Sequence, residues 1–418
     1  MDQAQTLSED RIPLNLYAVV WFPFACGYFL SYLFRTINAM ISPDLVRDLG
    51  VNPSELGLLT SAYLISFALF QLPLGVLLDR FGPRRVNAAL LLCAAAGAGL
   101  FAAAQNLPGL VIARTLIGFG VSACLMSAIK AFVLWFPMSR LATVNGWLLA
   151  AGGLGAMTAT APVEAALKLT DWRGVFVALA GVALAVAALV FFVVPDKKDS
   201  NSRESAAELL SGIRKVFANG FFWRLGLLLT FVMGGFMSIQ GLWFAPWLRD
   251  VVGLSRPQVA ETLLLLAIAT TLGFALLGSG ADRLARFGID PQSTMKLTVG
   301  VSIVLFFLIV IGVKSVWIPV VYTFCATGSM LIYPILSKHF PKQLAGRVNT
   351  ALNLLAFLGA FAAQWGIGVV INLWPASESG YALAGYRAAF GMMLGLQLVS
   401  FALVIFSRKQ SDRPVTPQ

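Results

Sequence analysis

Four ionisable residues stand inside apolar runs, and their chemistry needs explaining: Arg35, Arg114, Lys130 and Glu164. Arg35 lies in SYLFRTINAM, residues 31–40, after an apolar run that begins at Leu14, and the next charge is Asp44. A guanidinium in hydrocarbon costs roughly 2.5–3.5 kcal/mol on insertion scales, so its retention argues for use. Tyr28, Ser31, Tyr32, Arg35 and Asn38 recur at three- and four-residue spacing, which makes one polar helix face suited to lining a cavity. The competing reading is an arginine snorkelling past a shallow helix end, which Ser42, Pro43 and Asp44 favour. Arg114 and Lys130 are 16 residues apart, about 160° around an ideal helix, so both face one cavity only if that helix bends or breaks. Arg114 is expected beside Arg35, whereas Lys130 either joins that site or reaches the inner headgroups. Glu164, near an outer helix end, is the one acid well placed within a span and the candidate for carrying a coupled proton. Three cations against one acid leave the path positive. A small anionic substrate, a carboxylate or phosphate, would supply the missing charge through paired hydrogen bonds.

The elements that must position these groups are membrane helices. Of 418 residues, 58% are hydrophobic and 12% are charged, about half the charged share of a soluble domain. Apolar stretches of about 20 residues recur throughout, each long enough to cross a bilayer. Twelve helices are expected near 14–40, 55–78, 86–104, 109–135, 141–168, 174–194, 221–248, 258–281, 292–313, 316–337, 344–371 and 386–407. The polar N-terminal segment does not resemble a secretory signal. With both termini inside, most of the 30 Lys and Arg fall on the cytoplasmic side, so the net charge of +11 reports topology rather than a nucleic-acid partner. Cys26, Cys93, Cys124 and Cys325 all lie in apolar runs and read as small hydrophobes, with no metal site and no cofactor implied. His339 reads as an exposed loop residue.

A polar segment beginning at Pro195 bisects the chain into 1–194, a linker 195–220, and 221–418. The halves echo one another at a spacing near 203 residues: Gly75…Asp79-Arg80 returns as Gly278…Asp282-Arg283, and Arg47-Asp48 as Arg249-Asp250. Two six-helix bundles related by an internal repeat are a transporter architecture, with substrate held between them near the midplane.

GVLLDRFGPRR, residues 75–85, resembles without a gap the loop motif of the major facilitator superfamily, and ARTLIGFG, residues 113–120, is similar to that family's fourth-helix motif. The resemblance implies an all-α membrane protein of twelve transmembrane helices in the inner membrane, working by alternating access. It also implies a charge latch in which Asp79, amid Arg80, Arg84 and Arg85, grips the start of the eleventh helix near Ala345. Asp282 and Arg283 would repeat that grip more weakly against the fifth helix. The first helix is also similar to that of organophosphate antiporters and anion–cation symporters of the superfamily, whose arginine binds the substrate's anionic group. Those symporters often carry an acid beside that arginine, whereas Phe34 stands here, which leaves facilitated diffusion and exchange open beside proton symport.

The second half offers neutral groups. Ser238, Gln240, Trp243 and Trp247 share a face of the seventh helix, and Tyr322, Ser329, Tyr333 and Ser337 a stripe of the tenth. Gln240, Trp243 and Tyr333 are expected to shape the wall opposite Arg35, Arg114, Tyr28, Tyr32, Asn38 and Lys130. Asn145, Asn349 and Asn353 are expected to bond across the two halves. The expected partners are thus a small anion, membrane lipid and a co-transported proton, for a monomeric secondary transporter. Efflux of drugs or metabolites is the alternative, and a membrane sensor on the same scaffold a further one.

Overall fold

The computed structural model describes residues 14–196, 214–286, 290–341, 344–375 and 380–406. Among them, eleven helices are long and apolar enough to cross a membrane. A further helix, Met138–Thr158, has 21 residues but carries Ser139, Arg140, Thr143 and Asn145 in its first turns and is less apolar. It occupies the place expected for the fifth span. Most of the central linker 195–220 lies outside the described residues, as do the side chains of Asp282 and Arg283. Helices are the response of such a sequence to hydrocarbon, because they satisfy every backbone group within the segment.

Several of these helices are irregular near their middles. The first runs as Phe22–Thr36, breaks at Ile37, and continues as Asn38–Leu49. This corrects the expected end near residue 40. Pro43 sits inside the second piece, and the Ser42 hydroxyl donates to the carbonyl of Ala39 at 3.1 Å, the acceptor that Pro43 cannot serve. The helix continues 14 residues past Arg35, about 21 Å at 1.5 Å per residue, so Arg35 is not at a shallow end. The fourth helix breaks between Leu107–Val121 and Cys124–Trp135. The seventh carries π-turns at Thr230–Gly234, Ile239–Trp243 and Leu248–Val252, and the tenth a 3-10 turn at Thr327–Leu331. Such interruptions mark bends and sites more often than plain spans.

The internal repeat has a structural meaning. Asp48, in the last turn of the first helix, accepts from the Trp172 indole N–H at 2.9 Å and from Arg47 at 2.9 Å. Asp250, in the last turn of the seventh, accepts from the Tyr386 hydroxyl at 2.8 Å and from Arg249 at 2.7 Å. In each half an acid at the end of the leading helix thus clasps an aromatic donor at the start of the last. The Trp172 and Arg47 bonds hold the Asp48 carboxyl below the usual carboxylate range. His339 departs from expectation: it is buried, with its ring 4.5 Å from that of Phe221. Asn349 does likewise, accepting from Ser337 within the second half at 2.9 Å.

The halves meet where the second helix lies along the eleventh, the first against the seventh, and the fifth against the eighth. At the end that carries residues 50–52 the seam is tight. A Cβ on Gly368 would stand 2.3 Å from the carbonyl of Pro53, and one on Gly57 2.8 Å from that of Gln364. Gly368→Val is therefore expected to wedge this seam at about 1–3 kcal/mol and lower the thermal unfolding midpoint in detergent. Gly395→Val, at a position with no neighbour within 4 Å, is the control expected to leave the midpoint in place.

Candidate functional site

Arg35 lies among aromatic rings drawn from both halves. Its guanidinium carbon is 4.6 Å from the ring centroid of Tyr32 and 5.1 Å from those of Phe67 and Phe357. Phe67, on the second helix, and Phe357, on the eleventh, stack on each other at 4.5 Å. Tyr28 meets Tyr32 edge-on at 5.1 Å. Tyr63 adds a phenol oxygen beside the same guanidinium while its O–H donates to the carbonyl of Ser31 at 3.0 Å. Tyr333, from the tenth helix, is half-buried against the core. Ring faces stabilise a cation modestly, by about 0.5–2 kcal/mol each, and do not neutralise it. Among the described residues no carboxylate lies within 4 Å of Arg35, and its Nε is buried without a hydrogen-bond partner. The arrangement can hold an oxyanion.

The other expected cations are engaged differently. Arg114 is fully buried and donates through Nη1 to the carbonyl of Phe34 at 2.9 Å. It approaches the rings of Tyr63 and Phe101 at 5.7 and 5.8 Å, while its Nε and Nη2 have no partner. Arg114 thus bonds the first helix just before its break and shares the Tyr63 ring with Arg35. Asn38, also buried, gives its amide to Thr60 at 3.0 Å. Lys130 bonds Asp79 of the second helix, so it takes no place beside Arg35. The break in the fourth helix does not bring Arg114 and Lys130 onto one site, since each is used by a different neighbour.

That pair also changes the reading of the loop motif. Among the described residues, Asp79 pairs with Lys130 of its own half. Arg85 bonds Asp196 at 2.7 Å, Arg84 lies 5.0 Å from the Phe191 ring, and Arg80 lies 5.2 Å from that of Phe81. In this conformation these groups are spent inside the first half. In the second half, Gln240 donates to Thr270 at 2.8 Å and stays half-buried. Trp243 is fully buried, with its indole N–H on the Gln364 carbonyl at 3.0 Å, and serves packing rather than a cavity wall. Glu164 lies in a bridge to the second half rather than beside Arg35. It accepts from Arg256 Nε at 2.7 Å, and the same guanidinium grips Asp44 at 3.0 and 2.6 Å.

Sequence reading missed Phe67, Phe357 and Arg256. Nothing distinguishes the two phenylalanines from other core residues before the halves are assembled. Tyr63, a polar aromatic in an apolar run, was the legible signal for the cage.

Membrane-length helices in two repeated halves, with an unneutralised cation between them, define a multi-pass transporter. The Major Facilitator Superfamily profile matches residues 24–364, and the chain belongs to that family. It is 26% identical over 270 residues to a probable sulfoacetate transporter of Cupriavidus necator, covering 62% of this chain and 63% of that relative's length. It is 24% identical to a hexuronate transporter of Escherichia coli over 67% and 68% of the two chains. It is 26% identical to a probable 4-methylmuconolactone transporter of Cupriavidus pinatubonensis over 94% and 93%. A bacterial homologue of the human lysosomal transporter Spinster, solved inward-facing and unoccupied, superposes with a TM-score of 0.75 at 16% identity, over 94% and 97% of the chains. That likeness is one of fold.

Because Arg114 supplies the bond at the break in the first helix, Arg114→Met is expected to loosen it. Amide hydrogen exchange over residues 35–40 should accelerate about tenfold, the equivalent of the ~1.4 kcal/mol that a charged donor contributes, with the rest of the bundle unchanged.

Proposed function

We propose that this protein moves a small organic anion, a carboxylate above all, across the cytoplasmic membrane by alternating access, with Arg35 as the group that pairs with it. The observation that carries this reading is the unanswered charge of Arg35, placed where rings of both halves meet. A carboxylate would give the guanidinium two parallel hydrogen bonds, which ring faces cannot. Tyr32, Tyr28 and Tyr333 would bound the ligand, and Phe67 on Phe357 would form the floor that parts when the halves rock. Two of the relatives are named for sulfoacetate and hexuronate, both acids, which supports an anionic cargo.

In this reading the chain crosses the membrane twelve times, Met138–Thr158 included, with both termini inside. The tight end of the bundle then faces outward, and the conformation is closed to the outside. Asp79 on Lys130 is the resting arrangement of the inner latch, and its transfer to the eleventh helix would accompany inner closure. Uptake is the direction favoured. A coupled proton would have to use Asp44 or Glu164, because no acid stands beside Arg35 among the described residues.

The reading is tested on purified protein by a thermal-shift screen of carboxylates, phosphates and zwitterions, followed by uptake of the strongest hits into liposomes. Stabilising ligands are expected to be anionic, and Arg35→Gln to abolish their effect, a loss of at least about tenfold in affinity or ~1.4 kcal/mol. Hits that are neutral or cationic, or a variant that responds as the parent does, would overturn it.

A further inference from the structure

At the tight end, one side chain of the second half holds two of the first. Arg256 opens the eighth helix, Asp44 lies in the last turns of the first, and Glu164 follows the fifth in the short helix Ala161–Ala166. Arg256 meets Asp44 with both Nη atoms in a fork and turns Nε to Glu164 at 2.7 Å. The two acid side chains are 8% and 10% exposed, and the arginine 35%. Arg47 adds a longer contact to Asp44 at 3.3 Å. Lys168, Asp171 and Trp172 complete the rim of a 410 Å³ polar recess over this bridge. We propose that Arg256 is the clasp that keeps this end of the transporter shut, and that rocking open requires it to leave both acids together.

The inference rests on the alternating-access reading and extends it to particular atoms. Two bonds to one carboxylate and a third to another fix the guanidinium in plane as well as in position, which a single surface pair does not do. When the halves part, Asp44 and Glu164 stay on the first half as neighbouring like charges without Arg256, with only the longer Arg47 contact left to Asp44. The closed state is thereby favoured over the open one by contacts that exist in only one of them. The bridge also has no twin. At the position echoing Asp44 stands Pro246, and Arg256 falls opposite the Pro53 region, so the repeat that built the clasps at Asp48 and Asp250 did not build this one. The loop motif with its Asp79–Lys130 pair lies at the other end of the second helix, so the closed end is held by a different set of residues.

The test reads the separation of the halves in full-length protein in liposomes, with the four cysteines replaced and spin labels at Gln105 and Lys314. These are exposed residues in corresponding loops of the two halves. By pulsed EPR the parent is expected to show mainly a short distance. Arg256→Ala is expected to raise the population of a longer distance about tenfold, and Asp44→Asn with Glu164→Gln to do the same. Adding Arg256→Ala to that pair should change nothing further, and the exchange Arg256→Asp with Asp44→Arg should restore the short distance. Unchanged distances in Arg256→Ala, or additive effects in the triple variant, would overturn the clasp. Because the distances are read without ligand, the two readings separate. Opening in Arg256→Ala with no anion uptake by the parent would leave the clasp and remove the anion reading, whereas uptake with distances fixed in every variant would remove the clasp alone.

Discussion

A charge held within a membrane has to be answered from inside the protein, because lipid offers neither water nor a counterion. This chain answers it in four different ways. Lys130 is met by the carboxylate of Asp79. Arg256 is met by two carboxylates from the opposite half. Arg114 is met by a backbone carbonyl at the point where the first helix breaks. Arg35 is met by the ring faces of Tyr32, Phe67 and Phe357 and by the Tyr63 phenol oxygen, and its Nε is left without a partner. The first three are held by oxygen atoms of the protein, and the fourth mainly by aromatic rings.

The irregular helices follow from the same constraint. Apolar side chains alone would give straight spans that carry no polar group to the midplane. Here the first, fourth, seventh and tenth helices each lose or gain a turn's worth of regular bonding near the centre. The freed groups are taken up locally, as the Ser42 hydroxyl does for Ala39 and Arg114 does for Phe34. Backbone that departs from the helix is tolerated at this depth where protein, not lipid, surrounds it. The two halves share this plan and the clasps at Asp48 and Asp250 but not their charges. The first half supplies the cation, and the second supplies the Phe357 ring against it. The repeat preserved the scaffold and let the sites diverge.

The sequence by itself determined the membrane class and the approximate positions of most helices, although the first runs nine residues past its expected end, and it marked Arg35 as a residue to watch. These were legible because hydrophobic length and the cost of a charge in hydrocarbon are properties of a segment, readable without knowing its neighbours. The Arg47-Asp48 echo was legible for the same reason, as a local pattern repeated in register. What only the tertiary structure decided is which charge meets which. Arg114, Lys130 and Trp243 were candidates for the lining and Glu164 for a coupled proton, and each has a partner within the protein: the Phe34 carbonyl, Asp79, the Gln364 carbonyl and Arg256 respectively. Phe67 and Phe357, 290 residues apart, became a single stacked floor. Asp44 and Arg256, 212 apart, became one forked ion pair. A sequence records the type of each side chain and its place on its own helix, but the partner across the bundle is set by how helices from separate halves come together, and no local period carries that information.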